Sequence, residues 1–123
     1  MDLLDTAKKK LEFALEVIKN STDYSNDIKP VLSALDDGLQ FTKQHYGELN
    51  SLTLAKAQGL KGSDIYFFFM RFTHQFYNVM NVVQSKPNAS YYEKFLYLYE
   101  IRQHRFIELR EEALIKGNEI ITK

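Results

Sequence analysis

Three arginines and two histidines are the residues of this chain best suited to chemistry. Arg71 is the one polar residue in the stretch 65–72, I-Y-F-F-F-M-R-F, and His74 follows three positions later. Arg102, His104 and Arg105 lie together further along the chain. Arginine offers a fork of donors to phosphate oxygens, and histidine can exchange a proton near neutral pH. The five residues therefore make a candidate phosphate site for RNA binding or metal-free RNA cleavage.

The same residues also fit an ordinary solvated helix surface. Arg71, His74 and Asn78 recur at three- and four-residue steps, on the side of a predicted helix opposite its apolar line. The cluster at 102–105 lies between Glu100 and Glu108, with which it can form surface ion pairs of small energetic value. Both interpretations stay open at the level of sequence.

Other catalytic frameworks are missing from the sequence. The chain has no cysteine, which excludes thiol nucleophiles, disulfides and zinc thiolates. Its five glycines never form a phosphate loop, and no Glu-x-x-His step of the di-iron bundles occurs. We expect Glu100 and His104, four residues apart, to form a hydrogen bond on a helix surface. The sequence thus predicts a protein without enzymatic activity, metal or cofactor.

Four amphipathic segments must position these residues, each with apolar side chains at three- and four-residue steps. The patterns predict helices over 3–19, from 26 or 27 to 46 with Gly47 ending the helix, from an N-cap at Ser63 to about 84, and from Ser90 to at least 116. The predicted core lines are Leu4, Ala7, Leu11, Ala14 and Ile18; Ile28, Leu32, Leu35, Leu39, Thr42 and Tyr46; Ile65, Phe69, Phe72, Phe76, Val79 and Val83; and Phe95, Tyr99, Phe106, Leu109, Ala113 and Ile120.

The ends of two helices have specific local signals. Pro30 is tolerated in a first helical turn, where the amides have no intrahelical acceptor, and this places the second helix start near Asn26 or Asp27. Ser90 and Glu93 form a capping box. A fourth helix that continues past Gly117 would be about 30 residues and roughly 45 Å long. It would extend beyond the other helices, and we expect its uncovered part to bind a partner.

Composition agrees with a helical domain. Only two prolines and five glycines occur in 123 residues, which favours long regular elements. We predict one domain, 1–123, of the all-α class. Its architecture is an antiparallel four-helix bundle whose longer second connection, 48–62, can hold a short extra helix.

Charge and hydropathy restrict the partners and the location. Sixteen basic and sixteen acidic residues give a formal net charge of zero, so no whole-chain field draws the protein to nucleic acid or anionic lipid. No apolar run reaches the roughly 20 residues of a membrane span. The N-terminus lacks the pattern of a signal peptide. We expect a cytoplasmic protein that does not bind membranes.

The aromatic residues give the functional prediction. Nine Phe and eight Tyr are more rings than one buried line per helix requires, and such rings are enriched in interfaces. We predict a protein-interaction module of the adaptor, immunity or host-defence-inhibitor type, which also forms a homodimer through aromatic helix faces. The alternatives are a nucleic-acid-binding or RNA-cleaving bundle and an apolar-ligand carrier with a cavity among the phenylalanines. The predicted interface comprises Tyr66, Phe67, Phe68, Arg71, His74, Asn78, Tyr91, Tyr92, Arg102 and Arg105.

Overall fold

Five helices account for almost all of the residues that the computed structural model describes, which are 2–55, 62–82, 86 and 88–122. They are α1 (Leu3–Lys19), α2 (Tyr24–Gln44), α3 (Tyr46–Ala55), α4 (Gly62–Met80) and α5 (Tyr91–Ile121), and no strand occurs within those ranges. In the bundle, α1 packs on α2, α2 on α4, α4 on α5, and α5 back on α1. The short α3 lies in the second connection and packs against α4, α1 and α2. The predicted all-α bundle with an extra short helix is confirmed.

The first helix matches the sequence prediction at both ends. Asp2 caps it, because an Oδ1 atom of its carboxylate accepts the amide of Leu4 at 2.9 Å. The predicted core line is buried along the whole helix. A regular seam with a good cap is therefore sufficient to place this element.

The second helix begins earlier than predicted. Asp23 is its N-cap and accepts the amide of Asn26 at 3.0 Å, so Pro30 lies in the second turn rather than the first. Because Pro30 has no amide proton, the carbonyl of Asn26 lacks its usual hydrogen-bond donor within the helix. Both residues are exposed, so this carbonyl can bond water instead. The prediction for the other end was also wrong, since α2 ends at Gln44 and Gly47 belongs to α3.

The fourth helix starts one residue before the predicted cap. Because α4 begins at Gly62, Ser63 lies inside the first turn and is not the N-cap. A Cβ at Gly62 would lie 2.9 Å from that of Leu49, so the glycine lets α4 start directly against α3. The core line from Ile65 to Val79 is buried as predicted. α4 ends at Met80, and Asn81 and Val82 are not helical, so the predicted end near 84 was too late. Val83 and Gln84 lie outside the described residues.

The last helix is one unbroken element of 31 residues. Ser90 caps it, since its Oγ accepts the amide of Glu93 at 3.2 Å, which confirms the predicted cap. At Gly117 a Cβ would come within 2.4 Å of Leu15, so the glycine permits close packing of α5 on α1. At 1.5 Å per residue, α5 is about 46 Å long, whereas α4 is about 28 Å long.

Candidate docking surface

The first eight residues of α5 form a segment with many exposed apolar side chains, which we call the overhang (residues 91–98). The first fully buried side chain of α5 is Phe106, and every residue of the overhang is exposed or half-buried. Tyr91 is 88% exposed, Tyr92 69% and Phe95 62%. So much exposed apolar surface on one segment is typical of a binding site.

The overhang continues the core seam of α5. Phe95, Tyr99, Arg102, Phe106 and Leu109 follow one another at steps of four, three, four and three, which is the spacing of one helix face. Phe106 and Leu109 are buried, but Phe95 is not. The prediction that Phe95 lies in the core is therefore wrong; the described side-chain hydrogen bonds that join α5 to the α1–α2 turn and to Val82 begin only at Tyr99, one turn further along the helix.

Three side chains mark the level at which the bundle ends. Arg102 donates to the carbonyl of Val82, just past α4, at 3.1 Å. Gln103 donates to the carbonyl of Thr22 at 2.7 Å and accepts the amide of Tyr24 at 2.6 Å, at the α1–α2 turn. Tyr99 donates its phenol proton to the carboxylate of Asp23. These contacts hold α5 firmly where it leaves the bundle.

The hydrogen bond to Asp23 changes the ionisation of Tyr99. It raises the pKa of the phenol above its ordinary value, and partial burial and the negative charge of Asp23 act in the same direction. The phenol therefore keeps its proton, and the anchor persists, throughout the neutral range.

The aromatic residues of the predicted interface separate into three environments. Phe68 is only 2% exposed and its ring lies 4.7 Å from that of Phe72, so it belongs to the core. Tyr66 and Phe67 pack with Tyr46 at the α3–α4 junction, with ring centroids 4.7 and 6.4 Å from that of Tyr46. Tyr91 and Tyr92 lie on the overhang. The sequence analysis missed Phe95 and Leu96 as interface candidates, because it assigned Phe95 to the core.

Two of the predicted arginines face the same carboxylate. Arg71 on α4 and Arg105 on α5 approach Glu112 at 3.9 and 3.8 Å, and Arg105 also lies 3.6 Å from Glu108. These pairs are half-exposed and contribute little stability. The two carboxylates balance the two arginines, so this part of the surface offers little net positive charge to a phosphate.

The remaining members of the predicted cluster point elsewhere. His104 lies 3.1 Å from Glu108, one turn along α5, instead of the expected Glu100. Arg102 lies at the bundle end, with its guanidinium 5.9 Å from the ring centroid of Tyr24. His74 and Asn78 are exposed on α4. The five arginines and histidines thus do not converge on one point.

Two further apolar surfaces lie along the bundle itself. Tyr77 and Met80 of α4 line a groove of ≈ 320 Å³ against α2, where Lys29 and Asp36 flank it. Between α1 and α2, Phe13 and Pro30 line a groove of ≈ 720 Å³. Both grooves carry charged residues in their lining, unlike the apolar seam of the overhang, which is the most exposed apolar segment described.

Comparisons of the chain with protein-family models, curated proteins and solved structures gave no match. Within the described part of the chain, no helix is long and apolar enough to cross a membrane. No group of three or more His, Asp or Glu side chains arranged to hold a metal ion occurs there either.

Proposed function

We propose that this chain is a non-enzymatic protein-interaction module that docks through the overhang of α5. The observation that carries the proposal is the continuation of the α5 core seam, from Phe106 through Tyr99 to Phe95, into exposed surface. An apolar seam of this regularity is the feature by which one helix packs on another. A protein partner that supplies a helix would cover it.

The chemistry of the overhang favours protein over other partners. Tyrosine and phenylalanine bury large areas at little cost in side-chain entropy and are common at interface centres. The helix is already capped by Ser90 and anchored by Tyr99, so binding requires little further ordering. Base stacking would need a basic face as well. The overhang has only one cation, Lys94, next to the acid Glu93.

The finer assignments follow the sequence analysis and remain part of the proposal. They are an adaptor, immunity or host-defence-inhibitor role in the cytoplasm, with no cofactor and with a homodimer as the expected state. The proposed surface keeps Tyr91, Tyr92 and Arg102 and adds Phe95 and Leu96. The other predicted interface residues leave it because they lie in the core, on α4 or further along α5, as described above: Tyr66, Phe67, Phe68, Arg71, His74, Asn78 and Arg105. RNA retained by the purified protein, and lost with Arg71→Ala and Arg105→Ala, would instead favour the nucleic-acid alternative.

Photocrosslinking in the cells that produce the protein tests the docking surface. A photoreactive phenylalanine analogue replaces Tyr92 in one variant and Ile115 in another. Ile115 is a matched control, since it lies on the same helix, outside the overhang, and is 64% exposed. We expect adducts with defined proteins, identified by mass spectrometry, from position 92 and few from position 115. Equal yields from the two positions would contradict the proposal.

A further inference from the structure

The groove between α1 and α2 is a second concave surface that docking through the overhang does not use. It shares no residue with the overhang, and its volume is ≈ 720 Å³. Small-molecule sites in proteins usually measure about 300–1,000 Å³. Phe13 forms part of its wall and is 56% exposed, although polar residues surround it in sequence. The groove therefore has the size of a ligand site and an apolar side chain that the fold does not bury.

One hydrogen bond fixes which residues face each other across this groove. The Nζ atom of Lys10 donates to the carboxylate of Asp37 at 2.8 Å. Because α1 and α2 are packed helices joined by a short turn, they run antiparallel, and each step along α1 matches a step back along α2. The facing pairs that follow are Phe13 with Ala34 and Val17 with Pro30, all four of which line the groove. The apolar part thus extends over seven residues, or about 10 Å.

The charges of the groove lie at one end. Its lining contains two lysines and one aspartate, namely Lys9, Lys10 and Asp37. Lys10 is neutralised by Asp37, and its Nζ lies 5.4 Å from the ring centroid of Phe41, so this side chain closes the end of the groove. Lys9 is exposed and forms no ion pair with any described residue, although Asp5 lies one turn away. One positive charge at this end is therefore uncompensated.

We propose that the groove binds a small amphipathic anion, such as a carboxylic acid with an apolar chain of about 10 Å. The carboxylate lies at Lys9, and the chain runs past Phe13 towards Val17. This arrangement pairs the one uncompensated charge and covers the apolar wall with a single molecule. A ligand with two negative charges fits less well, because its second charge would meet Asp37. The inference goes beyond the proposed docking function and does not depend on it.

A free molecule suits the groove better than a membrane surface. The apolar lining is concave and lies between two helices, so a flat bilayer would touch the rims and leave the lining uncovered. Alternating acids among the lysines of α1, Asp5, Glu12 and Glu16, also weaken any attraction of this helix to an anionic surface. We therefore assign the groove to a soluble amphiphile.

Titration with octanoate, followed by nuclear magnetic resonance of the backbone amides, tests the assignment. We expect saturable shifts at residues 9–17 and 31–37, on the two walls of the groove, and no shifts at 91–98. Octylammonium has the same apolar chain and the opposite charge, and it should bind at least about fivefold more weakly. No saturable shift with octanoate, shifts centred on the overhang, or equal affinity for the two amphiphiles would overturn the proposal.

Two adjacent lysines provide a matched test of the position of the anion. Lys8 neighbours Lys9 on α1 but does not line the groove. We expect Lys9→Gln to raise the dissociation constant of octanoate about three- to fivefold, as for an exposed ion pair, and Lys8→Gln to leave it unchanged. Equal effects of the two substitutions would show that the carboxylate does not lie at Lys9.

The apolar wall is tested in the same way. Phe13→Gln should weaken octanoate binding by about tenfold, because the ligand chain loses its largest apolar contact. Ile115→Gln is the control, since it removes an exposed apolar side chain far from the groove. Circular dichroism confirms that each variant is folded. Unchanged binding by Phe13→Gln would overturn the proposal, as would vesicles of phosphatidylglycerol that broaden the whole spectrum while octanoate produces no shift.

Discussion

At the scale of single residues, a few polar contacts determine where α5 leaves the bundle. Gln103 joins α5 to the α1–α2 turn through two hydrogen bonds, to Thr22 and Tyr24, and Tyr99 bonds Asp23 one turn away. These partners are about 80 residues apart in sequence, so no local pattern could predict them. The sequence showed Gln103 only as a member of the polar cluster at 102–105.

The Tyr99–Asp23 bond predicts a dependence of stability on alkaline pH. The folded state raises the pKa of Tyr99 above its unfolded value. The stabilisation is therefore complete below the unfolded pKa, about 10, and is lost as the pH rises through the higher folded pKa. We expect the free energy of unfolding to fall more steeply above pH 10 for the wild type than for Tyr99→Phe. Urea titrations at several pH values measure this, and parallel curves would contradict it.

Two glycines in helices should respond in opposite ways to alanine. A Cβ at Gly38 would lie 2.2 Å from the Phe69 ring in the core. A Cβ at Gly47 would have no atom within 4 Å apart from its chain neighbours and the backbone of its own helix. We expect Gly38→Ala to lower the free energy of unfolding by about 1–3 kcal/mol through overpacking. Gly47→Ala should raise it by up to about 1 kcal/mol, because alanine favours helix. Urea denaturation compares the variants, and a loss at Gly47 as large as that at Gly38 would contradict the packing.

At the scale of elements, apolar periodicity predicted the existence and the inner face of every long helix. The predicted core lines of α1 and α4 are buried wherever the structure describes them. The helix ends were harder to predict. The predicted start of α2 was too late because it assumed that Pro30 must lie in the first turn. An exposed proline in the second turn lowers helix stability less than this assumption implied. Ser63 was predicted to be the N-cap of α4. The helix begins one residue earlier, because Gly62 allows close packing against Leu49.

The cap at Ser90 should act on the overhang alone. Because no side chain of residues 91–98 is fully buried, this segment can fray without unfolding the rest. We expect Ser90→Ala to cost about 1 kcal/mol of local helix stability. Hydrogen exchange should speed up at the amides of 94–98, with the exchange of α4 core amides unchanged as an internal control. Unchanged exchange in the overhang would show that Ser90 does not stabilise it.

At the scale of the whole molecule, the bundle follows from four amphipathic helices and short first and third connections. The sequence also predicted that the last helix would be longer than its neighbours, but not at which end the excess would lie. The exposure of Phe95 depends on where α1, α2 and α4 end, and this is a property of the assembled bundle. The same seam is therefore core at Phe106 and surface at Phe95.

The homodimer of the proposed function, formed by docking of two copies through the overhang, is most directly tested by sedimentation equilibrium of the wild type, Phe95→Gln and Ile115→Gln over a wide concentration range. Both substitutions replace an exposed apolar side chain on α5 with the same neutral helix former. We expect the wild type and Ile115→Gln to reach twice the mass of one chain with the same dissociation constant, and Phe95→Gln to remain monomeric or to dissociate at least about tenfold more readily, a loss of about 1.4 kcal/mol. A monomeric wild type, or equal dissociation constants for the two variants, would contradict the pairing.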